Sequence, residues 1–406
     1  MASLIKYSWP PDPFGPTEED RLGGEYDVYL PDRLAERPLY FDPRTAAELG
    51  AAEAALARFC AVADGPLAGE VVGRALVRAE GVASARLAGV EVDAREVLRA
   101  DLERPIPWDL YDLPVREAAS SVAALAYGLD EIDGGAPITA DLLIAVHLRL
   151  LAERSKEVPA GALRQVQTWV GGSAFNPCRA EYVPPPPEAV EELVDDLLRF
   201  CNDATLPPVA QAALAFAQLE AVRPFADGNG RAARALAQLV LRSRRAAVLP
   251  LPISLAIASS PDLYVRSLQA YRYRGPADGP QAREGTNRWV AAFARACRLA
   301  AARAASFTDH LLGLERVWRE RLGRVRRRSA TARLLRFLLG VPVVSGKRAA
   351  VVVGRSAVQT NAAIDRLKGA GILRQTSPGR RHRVFEAPEV FELWLALQRP
   401  LEEGEG

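Results

Sequence analysis

Arg223, Asp227, Asn229, Arg231 and Arg234 fall within one short run, Arg223-Pro224-Phe225-Ala226-Asp227-Gly228-Asn229-Gly230-Arg231-Ala232-Ala233-Arg234. Gly228 and Gly230 flank Asn229. Glycine adopts backbone angles that other residues avoid, so such a loop can curl its N–H groups around an anion. A helix starting right after it adds unpaired N–H groups and a positive dipole end. Arg231 lies in the first turn of that helix and Arg234 one turn on, so both fall on one face. Two guanidiniums beside a glycine loop suit a di- or triphosphate. Asp227 suits a Mg²⁺ held against those phosphates, because Mg²⁺ takes one or two carboxylates together with phosphate oxygens. Arg223 adds positive charge at the edge of this anion site but supplies no general base, since a guanidinium stays protonated below about pH 12. The plainer alternative is a helix–turn–helix corner, with Asn-Gly as the turn and the arginines as solvated surface.

The elements that must position this run are helical. Leu214–Glu220 reads as the end of an apolar helix, and Ala232–Leu241 as the start of the next. Glu220 stands three residues before Arg223, a spacing that pairs the two on one helical face. Ile138–Leu150 reads as a helix ahead of them, with His147 turned inward as a packed core residue. Tyr26–Phe41 reads as an irregular start, and Ala46–Ala61 shows helical spacing of apolar residues. From Trp108 to Ala300 helix follows helix. The breaks are the stiff Pro184–Pro187 run, Pro250-Leu251-Pro252 and a polar loop from Gly275 to Gly285.

At 406 residues, two or three domains with ample core are expected. The apolar fraction of 49% and charged fraction of 25% are those of ordinary globular proteins, and the net charge of +2 gives no global field toward nucleic acid. Cys60, Cys178, Cys201 and Cys297 are scattered without paired spacing, which argues against a disulfide framework or zinc site and fits a reducing cytoplasm. Met1–Pro16 is polar and proline-rich, unlike a signal segment. No apolar run approaches the roughly 18–20 residues needed to cross a bilayer. Richness in Ala, Arg, Leu and Gly points to a high-GC bacterial genome.

The run from Arg223 to Arg234 resembles the active-site motif of the Fic/Doc family, His-Pro-Phe-x-Asp-Gly-Asn-Gly-Arg-x-x-Arg. It departs only at the first position, where Arg223 replaces the family's catalytic histidine. Pro159-Ala160-Gly161-Ala162-Leu163-Arg164 resembles the family's Pro-Gly-x-x-Arg turn. Gln167–Gly172 with Ala180–Pro186 resembles its β-hairpin flap, which carries here Trp169, Gly171, Gly172 and Tyr182. In the family, the flap holds a target segment by strand pairing; without the motif it would read as an ordinary edge hairpin. Glu80–Gly89 resembles the family's inhibitory segment, with Ala88 in the place of the inhibitory glutamate. Base and brake are thus both missing.

The C-terminal stretch from Arg324 to Val384 is strongly basic, with Asp365 its only acid. Ala330–Leu339, Ala349–Val353 and Ser356–Gly369 read as helices, the last with Ala357, Ala363, Ile364 and Leu367 apolar. Gly371–Arg374 and Arg383–Phe385 read as strands around Pro378-Gly379. That order resembles a winged helix, with Ser356 capping the recognition helix. Gln359, Thr360, Asn361 and Arg366 would face a major groove, and Arg380, Arg381 and His382 would tip the wing. The local basic excess is the footprint of a phosphate-backbone binder. The alternative is protein contact or dimerisation, with the arginines merely solvated.

The resemblance therefore implies a mainly α protein: a Fic-type helical core with a short β-hairpin flap and a small C-terminal winged-helix (α+β) domain. The expected divisions are an N-terminal helical extension over 1–105, the core over 106–300, a connecting helix over 301–323 and the winged helix over 324–396. The implied cofactors are ATP or another nucleotide or phosphate ligand, and Mg²⁺. The implied reaction is AMP transfer from ATP to a Ser, Thr or Tyr hydroxyl. Asp227, Asn229, Arg231 and Arg223 (at the histidine's position) are its candidate catalytic residues; Gly228, Asn229, Gly230, Arg231 and Arg234 are candidate phosphate ligands. Three functional readings stay open: a redirected enzyme acting on a phosphate-bearing or acidic substrate, slow unregulated adenylyl transfer, and a non-catalytic nucleotide-sensing regulator acting on duplex DNA. A protein or small-molecule substrate at the flap and a homodimer are compatible with all three.

Overall fold

A computed structural model describes residues 1–102, 111–133, 135–377 and 383–399. In chain order the elements begin with β1 (Ser3–Trp9), α1 (Glu18–Arg21), β2 (Gly24–Leu30), α2 (Pro43–Ala63), α3 (Pro66–Leu87), α4 (Ala94–Leu102), α5 (Leu113–Glu131) and α6 (Ala140–Leu150). There follow α7 (Val190–Asn202), α8 (Pro208–Val222), α9 (Asn229–Ser243), α10 (Ile253–Ala258), α11 (Pro261–Tyr271) and α12 (Pro280–Leu322). The chain ends with α13 (Ala330–Gly340), β3 (Val343–Ser345), α14 (Gly346–Val353), α15 (Ala357–Gly369), β4 (Arg374–Gln375), β5 (Val384–Glu386) and α16 (Pro388–Leu397). Among the described residues the protein is mainly helical with two small antiparallel sheets. The break expected at residue 300 falls inside the single helix α12.

Two compact units emerge. The first holds residues 1–51, 127–244 and 260–295. Its centre is α8, buried along its length from Val209 to Val222 because alanines let neighbouring helices approach on every side. α9, α7 and the aromatic residues Trp289, Phe216 and Phe293 pack around it. The Trp289 indole N–H finds the Ala213 carbonyl at 2.6 Å, so this large ring is buried without an unmet donor. Within the first 30 residues lies the antiparallel β1–β2 ribbon from Ser3↔Leu30 to Trp9↔Gly24, whose second strand overlaps the start expected to be irregular from Tyr26. Across its strands Tyr7 and Trp9 pack on Tyr26, the first tilted and the second edge-on. The flap segments pair through one bridge, Val170↔Tyr182. Pro184, Pro185 and Pro186 lack the N–H donors that would extend it.

The second unit holds the described residues of 52–126, 245–259 and those from 296 onward. Its buried helix α3 packs on α10 and α13. Glu80, buried in α3, accepts hydrogen bonds from the Ser254 N–H at 2.8 Å and the Ser254 hydroxyl at 2.7 Å. Ala88 is the exposed C-cap of α3, followed by Gly89 at φ +83°. At the C-terminal end, α13, α14 and α15 pack together beside the three-stranded sheet β3-β5-β4. β3 and α16 had no counterpart in the sequence reading. Ser356 caps α15 by accepting the Gln359 N–H. All four cysteines are free. Among the described residues, no helix is long and apolar enough to cross a membrane.

Candidate functional site

The candidate site is the turn between α8 and α9. α8 ends where Arg223 takes the left-handed conformation, φ 45° and ψ 64°, a strained choice for a residue with a Cβ. Arg164 holds the turn there. Its buried guanidinium donates from Nε to the Arg223 carbonyl at 2.8 Å and reaches the Val222 and Pro185 carbonyls, while its N–H bonds the Pro224 carbonyl at 2.9 Å. Burial pulls its pKa down to about 10. Asn229 locks the other side: its Oδ1 accepts from the Phe225 N–H at 3.0 Å and its Nδ2 donates to the Phe225 carbonyl at 2.9 Å.

His147 supports the loop from below. Its ring stacks on Phe225 with centroids 3.7 Å apart. Nδ1 accepts from the Gly161 N–H at 3.0 Å, which leaves Nε2 to donate to the Asp227 carbonyl at 2.9 Å. Burial holds this imidazole at about 4, so it is neutral, fully bonded and buried at neutral pH.

Gly228, the left-handed N-cap of α9, and Gly230 are required by geometry. A Cβ on Gly230 would lie 2.9 Å from Glu220 Oε1 and 3.3 Å from Arg234 Nη1. Arg231 and Arg234 are only 4% and 6% exposed, which makes them part of the site wall and not solvated surface. Asp227 accepts the Gly228 N–H on Oδ1 at 2.6 Å and pairs through Oδ2 with Arg154 at 3.0 Å. Glu220 meets Arg223 Nη1 at 3.5 Å, the pair expected from their spacing.

Of the flap residues, Tyr182 reaches the turn, donating its hydroxyl to the Ala221 carbonyl at 2.5 Å. Gly171 and Gly172 take φ 74° and 70°. Trp169 packs against Trp9 and donates to the Ser173 carbonyl at 2.6 Å. Arg154 and Arg272 were missed by sequence reasoning. Neither lies in the motif, and only the tertiary fold brings them to it.

The C-terminal candidates divide. Gln359 is exposed, whereas Thr360 is 2% exposed and bonds the Ser356 carbonyl at 3.1 Å. Thr360 therefore sits on the buried face with Ala363, Ile364 and Leu367 and cannot face a groove, while the apolar Ala357 is exposed. Asn361 accepts from Arg383 at 2.8 Å, and Arg366 is held to the Leu322 and Arg324 carbonyls at 2.8 and 3.0 Å. Arg380 and Arg381 lie outside the described residues.

Residues 137–241, which contain the whole loop, match the model of the Fic/DOC family. The chain is 32% identical to protein adenylyltransferase fic-1 of Caenorhabditis elegans over 134 residues, 32% of this chain and 24% of that protein. It is 35% identical to protein adenylyltransferase Fic of Nematostella vectensis over 107 residues, 26% of this chain and 23% of the relative. It thus spans about a quarter of the curated relatives it matches. A Fic family protein from Desulfovibrio desulfuricans superposes over 87% of this chain and 98% of its own, with a TM-score of 0.54 at 20% identity, a likeness of fold. Over residues 137–241 the chain is thus similar to the Fic/DOC family.

Proposed function

We propose that this protein binds a nucleotide through its phosphates at the α8–α9 loop and retains adenylyl transfer to a hydroxyl only at a low rate. One observation carries the reading: a phosphate loop built to close tolerance opens on Arg223, where the reaction needs a base. Gly228 to Arg231 offer N–H groups and guanidiniums to the phosphates, and Arg234 adds a second cation one turn on. Asp227 is the residue that would hold Mg²⁺, sharing it with phosphate oxygens, since no cluster of three or more His, Cys, Asp or Glu could hold a metal among the described residues. Bound Mg²⁺ would neutralise phosphate charge, and Arg154 would have to yield one Asp227 oxygen to it. A guanidinium cannot take the acceptor's proton, and losing a general base typically costs roughly 10²–10⁴ in rate. His147 gives no rescue, because both ring nitrogens are bonded beneath the loop. The test is equilibrium binding of Mg·ATP to the full chain. Wild type binds and Arg231→Ala loses most of the affinity; equal binding by both would sink the reading.

The exposed cations of the C-terminal stretch favour a second role, duplex DNA binding by a winged helix over 324–396. Lys347, Arg348 and Arg355 are exposed around α14 and α15, and the order of three helices and three strands supports it. DNA affinity that shifts with bound nucleotide would make the protein a regulator, and the coupling would be reciprocal.

A further inference from the structure

Beside the loop, Arg223 and Arg234 approach the buried carboxylate of Glu220, and Arg272 lies over the neighbouring Tyr182 ring. Glu220 Oε2 lies 3.5 Å from Arg223 Nη1. Its Oε1 shares the space above Gly230 with Arg234 Nη1. Arg272, just past α11, places its Cζ 3.6 Å from the centroid of the Tyr182 ring. The phenols of Tyr182 and Tyr264 tie these groups together. Burial pushes both up, Tyr182 to about 12, and both feel Glu220 and Arg272. Tyr182 also feels Arg223, and Tyr264 also feels Arg234. Arg164 lies close by, but its donors are spent on carbonyls, and Glu188 is the further acid that it feels.

Arg223 and Arg272, both half-buried, thus flank Tyr182, with Glu220 the acid paired to Arg223. Two partly desolvated guanidiniums held this way favour the entry of an anion. Two details mark where it would enter. Arg223 Nε and Arg272 Nε are buried and donate no hydrogen bond. The Arg272 guanidinium is oriented in advance by its stack on Tyr182, and Arg223 by its left-handed backbone held through Arg164.

We propose that Arg223 and Arg272 form an anion subsite beside the nucleotide loop, which takes a dianionic oxyanion of the second ligand, a phosphate monoester or a dicarboxylate. This rests on the reading of the loop as a ligand site. Arg223 is then a binding residue that recognises an acidic acceptor, in place of a base that activates a neutral one.

The experiment titrates the full chain with inorganic phosphate, with malonate and with Mg·ATP by calorimetry at low salt, and compares wild type with Arg223→Met, Arg272→Met, Arg272→Lys and Arg231→Ala. Loss of one charge-assisted contact should weaken oxyanion binding about tenfold in Arg272→Met and in Arg223→Met, and by less in Arg272→Lys. Arg231→Ala should weaken Mg·ATP far more than Arg272→Met does. The tighter of phosphate and malonate identifies the source of the oxyanion, and dependence of either on Arg272 supports the subsite. Thermal unfolding checks that each variant folds; if Arg272→Met does not, weaker oxyanion binding by Arg272→Lys supports the subsite and unchanged binding overturns it. Absence of oxyanion binding, or affinities within about twofold of wild type in both methionine variants, overturns it. If Mg·ATP fails to bind wild type while phosphate still depends on Arg272, the nucleotide reading falls and the subsite stands.

Discussion

Around the α8–α9 turn, Arg231 and Arg234 are buried, whereas in the C-terminal stretch Arg333 and Arg366 are tied to backbone carbonyls, Arg374 is paired and Arg355 is left in water. Arg231 and Arg234 are wall residues at 4% and 6% exposure. Arg333 and Arg366 are tied to carbonyls, and Arg374 pairs with Glu386 at 2.8 Å. A sequence shows more arginines in the tail than in the loop, yet the loop has the stronger case for a ligand. Desolvation makes the difference: a guanidinium in water is screened, while one inside a low-dielectric wall acts at close to full strength on an arriving anion. Arginine density is thus a poor guide to anion sites, and burial beside few carboxylates is a better one.

The largest effect that sharpens this contrast comes from restoring a base. Arg223→His should raise label transfer from α-labelled ATP to protein by about 10²–10⁴ if the phosphate half of the site is intact. Equal labelling by wild type would show that Arg223 is tolerated and that the contrast has no catalytic meaning. Next comes the clamp. Arg164→Met leaves the Val222, Arg223 and Pro185 carbonyls without their buried donor and should cost about 2–4 kcal/mol, read as a lower denaturant midpoint for the transition that involves residues 137–241. An unchanged midpoint would mean the turn holds itself.

A pH effect of similar size follows from His147. Its folded-state pKa is lowered by burial from 6.5 to about 4. The unfolded chain therefore takes up the proton first as pH falls. Stability is fully present above about 6.5 and is lost as pH falls toward 4, by up to about 3 kcal/mol. His147→Gln should flatten that stretch of the stability profile; a slope that survives the substitution belongs to other groups. The smallest effects belong to the tail. Lys347→Gln and Arg355→Gln should each weaken retention of duplex DNA by the full chain and lower its salt slope by about one. No retention by wild type at low salt would end the DNA reading.

Much of the site was legible because its chemistry is contiguous. Loop, helix start and two arginines one turn apart follow from local rules that need no tertiary knowledge. The same local logic anticipated the Glu220–Arg223 pair and the Ser356 cap. It failed where the outcome depended on which face packs. Thr360 looked like a groove-facing polar residue, but its hydroxyl satisfies the Ser356 carbonyl and lets it join the buried face of α15. The β1–β2 ribbon was missed because its strands are largely half exposed, and what holds them is cross-strand pairing and not a buried hydrophobic run.

The sequence by itself determined the resemblance to the Fic/DOC family over 137–241, the mainly helical class and the glycine–arginine loop headed by Arg223, because each is written in residue type and short spacing. Only the tertiary structure decided that Arg164 holds the turn, that His147 is locked beneath it, that Arg154 shares Asp227 and that Arg272 arrives beside Tyr182. Those contacts join residues distant in the chain, and their energies come from burial, which a linear pattern does not encode.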